Sequence, residues 1–369
     1  MDLFRAESGT AEIRARARRP SGRALPAAHL RPSRRHRTGA SGTASAPASG
    51  GGRMKRPVIF IPEPFPARAL DAVPPAFEVV QGDAARACSE DELIEALKGV
   101  PALAVTSREQ VTARVIERAA DLRVIGKSGA RPANVDMEAA RRRGVEVVWS
   151  PTANVRSVAE MTLALMLQLV KRLLELTGLL RAGSWRNYDL LGRELSSMTV
   201  GLVGLGNVGL AVARLLGAAG ARVIGFDPHV SAGEAARHGV ERCGLEQLFA
   251  GSDLVSLHCA LNDGTRGIVG LAAFAAMKPG AYLVNTARGP LVDTGALLDA
   301  LASGKVAAAA LDVFPDEPLP PGHPLATHPR IVATPHMAAF TREAIHRETR
   351  EVLEDIVNVL SGRPARHTG

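Results

Sequence analysis

The chain is short of cysteine: Cys88, Cys243 and Cys259 are the only three in 369 residues. They lie far apart, with neither a C-x-x-C pair nor the Cys/His spacing of a metal module, so a disulfide-stapled scaffold is excluded and no metal is expected. Each reads as a small buried apolar residue, in keeping with a reducing, cytoplasmic setting. Long apolar runs are also missing. The longest apolar helical stretch, Met161 to Val170, reaches about ten residues before Lys171 and Arg172 interrupt it; a bilayer span needs about 20. No membrane partner is expected, and no internal repeat is evident.

Acidic residues are scarce where basic ones are dense. Residues 1–53 hold eleven arginines and no lysine against Asp2, Glu7 and Glu12, which accounts for the whole net charge of +8 and leaves the remaining residues neutral. The charge is therefore confined to one end instead of covering a folded face, and nucleic acid is not an expected partner. The segment is rich in Arg, Ala, Ser, Gly and Pro and poor in large apolar side chains after Ile13, so it cannot bury enough surface to fold. It reads as a disordered basic tail. Three origins stay open for it: upstream sequence joined by a misplaced start, a flexible basic arm, or an Arg-rich targeting segment. Met54-Lys55-Arg56 then leads straight into the strand-like VIFIP.

What is present, at 46% hydrophobic residues, suffices for two domains. From Val58 the runs VIFIP, FEVVQ, ALAVTS, RVIGKSG and VEVVWSP alternate with DELIEALKG, TARVIERAA and NVDMEAARRRG, the pattern of a doubly wound α/β domain over about 54–152. Ala153 to Leu180 reads as one long amphipathic helix bridging to a second domain. There, TVGLVGLGNVGLAVARLLGAAGARVIGFDP contains strand, G-x-G-x-x-G turn, helix and second strand in order. Gly204 suits the tight turn, Gly206 a close approach of backbone to a pyrophosphate, and Gly209 close packing of helix on strand. The helix N-terminus offers unpaired N–H groups to phosphates. Asp227 ends the second strand, where a carboxylate accepts from ribose hydroxyls and repels a 2′-phosphate. NAD is thus expected over NADP.

Four motifs in order, GLVGLGNVG, NTARGPLVD, ALDVFPDEP and TPHMAAFT, resemble the D-isomer-specific 2-hydroxyacid dehydrogenases over residues 56–360. The resemblance implies two doubly wound parallel-sheet domains. One is a flavodoxin-like substrate domain (54–152 and 339–369), the other a Rossmann NAD-binding domain (153–338), with a cleft between them and a homodimer as the assembly. It assigns Arg288 to the substrate carboxylate and C2 oxygen, where a guanidinium fork makes two parallel hydrogen bonds. His336 becomes the acid/base and Glu317 its partner, since a carboxylate beside an imidazole favours the protonated ring. It places Asn207 and Val208 at the phosphate turn, Thr286 facing the nicotinamide and Asp312 at the carboxamide. His258, in SLHCAL, reads as structural.

The departure from the family lies in its carboxylate-binding loop, R-x-G-V-G-x-D-N. Here it is Lys127-Ser128-Gly129-Ala130-Arg131-Pro132-Ala133-Asn134, with arginine for glycine, a proline that removes one N–H donor, and alanine for aspartate. Lys127 and Arg131 are expected either to add positive charge for a phosphate or second carboxylate or, for Arg131, to face solvent or pair with an acid across the domain. Asn154 in the hinge matches a substrate-proximal position. The expected activity is hydride transfer between NAD and C2 of a small 2-hydroxy acid, with 3-phosphoglycerate as the first substrate. Glyoxylate or hydroxypyruvate reduction is the alternative, and an NADH-sensing corepressor is the reading from another class.

Overall fold

The computed structural model of the chain describes residues 56–83 and 86–368; the basic tail lies outside them. Two parallel sheets organise the described residues. The first contains β1 (Val58–Ile61), β2 (Glu78–Gln81), β3 (Ala102–Val105), β4 (Val124–Lys127) and β5 (Glu146–Trp149) in the order β2-β1-β3-β4-β5. The second contains β6 (Thr199–Val203), β7 (Arg222–Phe226), β8 (Glu241–Arg242), β9 (Leu254–Leu257), β10 (Ala281–Asn285), β11 (Val306–Leu311) and β12 (Ile331–Ala333) in the order β12-β11-β10-β9-β6-β7-β8. Strands β3, β4 and β9 are buried along their whole length, as parallel strands covered by helices on both faces must be. Strand order reverses between β1 and β3 and between β6 and β9. Crevices for ligands open at the carboxyl ends of such pairs. No helix of the described residues is long and apolar enough to cross a membrane.

The single helix expected over Ala153 to Leu180 is two helices, Val155–Val170 and Leu173–Arg181, broken where Arg172 adopts a left-handed φ of 55°. The cause is tertiary. The chain returning at 189–193 meets the end of the first helix: Arg193 N–H donates to the Val170 carbonyl at 2.8 Å, and Arg172 donates to the Asp189 carbonyl at 2.8 Å. The first helix packs into the core of the second sheet through Leu165, Met166, Leu169 and Val170, whereas no residue of the second is buried.

The final helix, Arg342–Leu360, is opened by Thr341, whose hydroxyl accepts from Ala344 N–H at 3.2 Å. It lies on the five-stranded sheet, with Val352, Leu353, Ile356 and Val357 packed among Ile59, Ile61, Val124 and Val148. Gly126 in β4 permits this contact. A β-carbon there would stand 2.4 Å from Val352 Cγ1 and 2.6 Å from Ile356 Cδ1. Gly126→Val should therefore overpack the interface and cost about 1–3 kcal/mol. The check is a lower urea midpoint with an unchanged slope; an unaltered midpoint would show that the helix moves aside freely.

Candidate active site

The second sheet gathers its functional side chains at the carboxyl ends of its strands. At the turn after β6, Gly204 has a φ of 98°, and a β-carbon on it would come within 2.5 Å of the Cys259 backbone nitrogen. A β-carbon on Gly209 would lie 2.2 Å from the Gly204 carbonyl oxygen, whereas around Gly206 nothing lies within 4 Å. Two of the glycines are thus required by close packing, and the third leaves open space over the start of the Asn207–Ala218 helix. No side chain caps that helix, so its opening N–H groups, Asn207 and Val208 among them, remain for a ligand. Asp227 is fixed beside the turn: its two carboxylate oxygens accept from Leu205 N–H and His229 N–H, each at 2.9 Å.

His258 lies behind the same turn. Its Nε2 contacts Ser256 Oγ at 2.9 Å, while Nδ1 is buried without a partner. Burial pushes the imidazole down to about 4, so it stays neutral near pH 7. Cys259, next to it, is pushed up to about 11 by burial and remains a thiol. Open space at Gly206, uncapped helix N–H groups, a fixed carboxylate at a strand end and an orphaned imidazole nitrogen together fit a dinucleotide. Thr286 completes this wall. It is buried, with its hydroxyl 2.8 Å from that of Thr162. Thr162 spends its own proton on the Val158 carbonyl, so Thr286 donates to Thr162 and keeps lone pairs for a donor.

Arg288, Glu317 and His336 follow β10, β11 and β12, three adjacent strands. Asn285 holds the first turn by donating to the Arg288 carbonyl at 2.8 Å and accepting from Ala287 N–H at 3.0 Å. A β-carbon on Gly289 would overlap the Phe314 carbonyl carbon at 1.9 Å, so this turn presses directly on the backbone that leads to Glu317. His336 Nδ1 lies 2.6 Å from Glu317 Oε2, and Glu317 Oε1 accepts from Phe314 N–H at 2.9 Å. An ionised carboxylate can only accept, so Nδ1 carries the proton and Nε2 is left for a reactant. Arg288 is exposed, and the only hydrogen bond of its side chain among the described residues is to the neighbouring Ala287 carbonyl.

Asp312 is fully buried. Its carboxylate accepts from Thr334 Oγ1 at 2.6 Å and from Met337 and Ala338 N–H at 2.9 Å each, and its carbonyl accepts from His336 N–H at 2.8 Å. It thereby clamps the turn in which His336 holds a φ of 53°. Ser157, on the helix after the hinge, ties the same turn by donating to the Ala338 carbonyl at 2.6 Å.

On the facing domain, the loop after β4 departs from the simple picture of a nest of free amides. Ser128 N–H is bonded to the Val105 carbonyl and Gly129 N–H to Ser150 Oγ, which leaves those of Ala130 and Arg131. The two loop cations differ in exposure. Arg131 is exposed and makes no side-chain hydrogen bond or ion pair among the described residues, whereas Lys127 is 7% exposed and near enough to Arg288 for that charge to lower its pKa, although burial is the larger cause. Asn154 and Ser128 both hydrogen-bond Glu348, a residue of the final helix. Asn285, Gly289, Ser157 and Glu348 are the site residues that sequence reasoning missed. Asn285 opens the NTARG motif and was readable there; Glu348 belongs to a charged helix with no motif, and nothing nearby in sequence marks it.

The family model "D-isomer specific 2-hydroxyacid dehydrogenase, NAD binding domain" matches residues 163–338. The chain is 37% identical over 309 residues to D-3-phosphoglycerate dehydrogenase of Archaeoglobus fulgidus, covering 84% of this chain and 58% of that protein. It is 40% identical over 296 residues to the Methanocaldococcus jannaschii protein of the same name, covering 80% and 56%. The chain spans little more than half the length of these curated relatives. Among solved structures, the TT0316 protein from Thermus thermophilus superposes with a TM-score of 0.75 at 35% identity, covering 84% of this chain and 99% of that one. The apo-structure of D-lactate dehydrogenase from Escherichia coli gives 0.74 at 27%, covering 84% and 99%. Family model, relatives and neighbours agree with the four motifs and the two parallel sheets: the chain belongs to the D-isomer-specific 2-hydroxyacid dehydrogenases, with an NAD-binding domain built on the seven-stranded sheet.

Proposed function

We propose that the chain is an NAD-dependent oxidoreductase acting at C2 of a small D-2-hydroxy acid or the corresponding 2-oxo acid, with residues 54–152 and 339–369 as its substrate domain and 153–338 as its NAD domain. The observation that carries this reading is the arrangement of Arg288 and the Glu317-backed His336 on adjacent strand ends, across from the Lys127 loop. NAD, when bound over Gly206 with its ribose at Asp227, supplies or accepts the hydride at C2. In reduction, Nε2 of His336 gives a proton to the C2 oxygen while Nδ1–H stays on Glu317, which keeps the ring oriented. Arg288 donates to the carboxylate and to the C2 oxygen as charge develops there. The amides of Ala130 and Arg131 receive the other side of the carboxylate, and Asp312 serves by holding the histidine turn.

The names of the relatives make 3-phosphoglycerate the first substrate to test. A second reading, glyoxylate or hydroxypyruvate reduction, is favoured by two observations: Arg131 is exposed, and the Glu348 carboxylate lies beside Gly129 of the loop. The two are separated by following NADH absorbance with a panel of 2-oxo acids. The assembly we propose is a homodimer. Leu174, Leu180, Trp185, Tyr188 and Leu191 are 57–76% exposed within one short segment, and exposed large apolar side chains gathered in one place are what a partner subunit covers. With three unpaired cysteines among the described residues, a reducing cytoplasm is the proposed compartment.

His336→Ala should lower kcat roughly 10²- to 10⁴-fold with little change in NADH affinity, and Glu317→Gln should cost less. Titration of NADH fluorescence alongside steady-state rates checks both, and a His336→Ala enzyme of near wild-type kcat would remove the histidine from the chemistry. Asp312→Asn turns an N–H donor toward the donors of the turn; stability should fall by about 1.5–3 kcal/mol, with kcat reduced. Denaturant titration reads the first effect, and unchanged stability would count against the clamp. For the assembly, the double variant Leu180→Glu, Trp185→Ser should show the mass of one chain by light scattering where the unaltered protein shows two.

A further inference from the structure

The charged groups at the end of β4 carry an assignment that the trio on the other domain does not. Lys127 is 7% exposed, and its ammonium makes no hydrogen bond or ion pair among the described residues. Glu348, from the final helix, is close enough for its charge to act on Lys127. A β-carbon on Gly129 would lie 3.2 Å from Lys127 Nζ and 3.5 Å from each carboxylate oxygen of Glu348. Ammonium and carboxylate therefore flank the bare face of Gly129 without closing into an ion pair. The φ of 92° at Gly129 keeps a side chain out of that face.

The carboxylate is built in. Ser128 Oγ reaches it at 3.5 Å, Asn154 hydrogen-bonds it, and the helix that carries it is locked to β4 through Gly126. Burial pushes the Lys127 ammonium down and the Glu348 carboxyl up, and each opposes the other's shift. Neither charge is well solvated, so each gains from a partner that serves both.

We infer that Lys127 and Glu348 form a mixed-charge subsite that selects a 2-oxo acid bearing a neutral hydroxyl at C3 and disfavours one bearing a phosphate or second carboxylate there. This assignment rests on the proposed oxidoreductase reading. A hydroxyl is both donor and acceptor: its oxygen accepts from the ammonium and its proton goes to the carboxylate, with hydrogen bonds of about 2.8 Å on either side. A phosphate would gain Lys127 but meet Glu348 at close range, and like charges in a poorly solvated pocket repel strongly. A substrate with only hydrogen beyond C2 leaves both groups unpartnered. Glu348 is then the discriminating residue.

The test compares kcat/KM for hydroxypyruvate, 3-phosphohydroxypyruvate and glyoxylate with NADH. The unaltered protein should favour hydroxypyruvate over both others. Glu348→Gln, which keeps shape and removes the charge, should raise the ratio of 3-phosphohydroxypyruvate to hydroxypyruvate at least tenfold. Glu348→Ser should move it in the same direction should the glutamine variant fold poorly. A wild-type preference for the phosphorylated substrate, or a ratio that moves less than tenfold in both folded variants, overturns the assignment. Absence of turnover with all three substrates overturns the oxidoreductase reading itself, and the assignment with it.

Discussion

One buried carboxylate organises the chemistry of this cleft. Asp312, at the end of β11, takes three hydrogen bonds from the turn after β12, and its carbonyl takes the His336 amide. A charged group with no exposure is costly to bury unless its lone pairs are filled. The turn fills them in a conformation that sets His336 at a positive φ. The same residue links inward, since its own N–H donates to the Asn285 carbonyl at the end of β10. Thus the strand that carries Arg288, the strand that leads to Glu317 and the strand that leads to His336 are laced together at their ends by backbone and carboxylate hydrogen bonds.

Close approach does the rest of the positioning. Gly289 against Phe314 sets the Arg288 turn on the chain that carries Glu317, Gly204 sets the dinucleotide turn against His258 and Cys259, and Gly126 brings the final helix down on β4. Each contact joins segments far apart in sequence at distances that leave no room for a β-carbon. These glycines act at the level of packing, and their consequence is functional because every one of them lies under a strand end that faces the cleft.

The two sides of the cleft treat charge differently. On the NAD-binding side Arg288 is exposed and the Glu317–His336 pair is half-open to solvent, so these groups remain able to exchange protons and to meet a ligand. On the opposite side Lys127 and Glu348 are largely withdrawn from water and held by the sheet and the final helix. Withdrawn charges discriminate more sharply than solvated ones, because a mismatched partner cannot be screened.

The sequence by itself determined the fold class, the family and the NAD-binding domain. The apolar strand-like runs and their alternation with helical segments specify two parallel sheets, and the strand–glycine turn–helix–strand order is that of an NAD-binding domain, since those properties depend on neighbours along the chain. Arg288, Glu317 and His336 were named from short motifs and lie at consecutive strand ends. What only tertiary structure decided is whatever depends on contacts between distant segments. The break at Arg172 exists because the 189–193 segment returns to cap Val170. The amides of Ser128 and Gly129 are consumed by Val105 and Ser150, on strands β3 and just beyond β5, which a linear reading of the loop could not show. Asp312, expected at a carboxamide, is found clamping the His336 turn. Arg131, paired with Lys127 by proximity in sequence, is exposed, and the carboxylate that acts on Lys127 belongs to a helix more than 200 residues later. Local pattern encodes elements and turns, whereas the partner of a buried charge is chosen by whichever surface the fold brings to it.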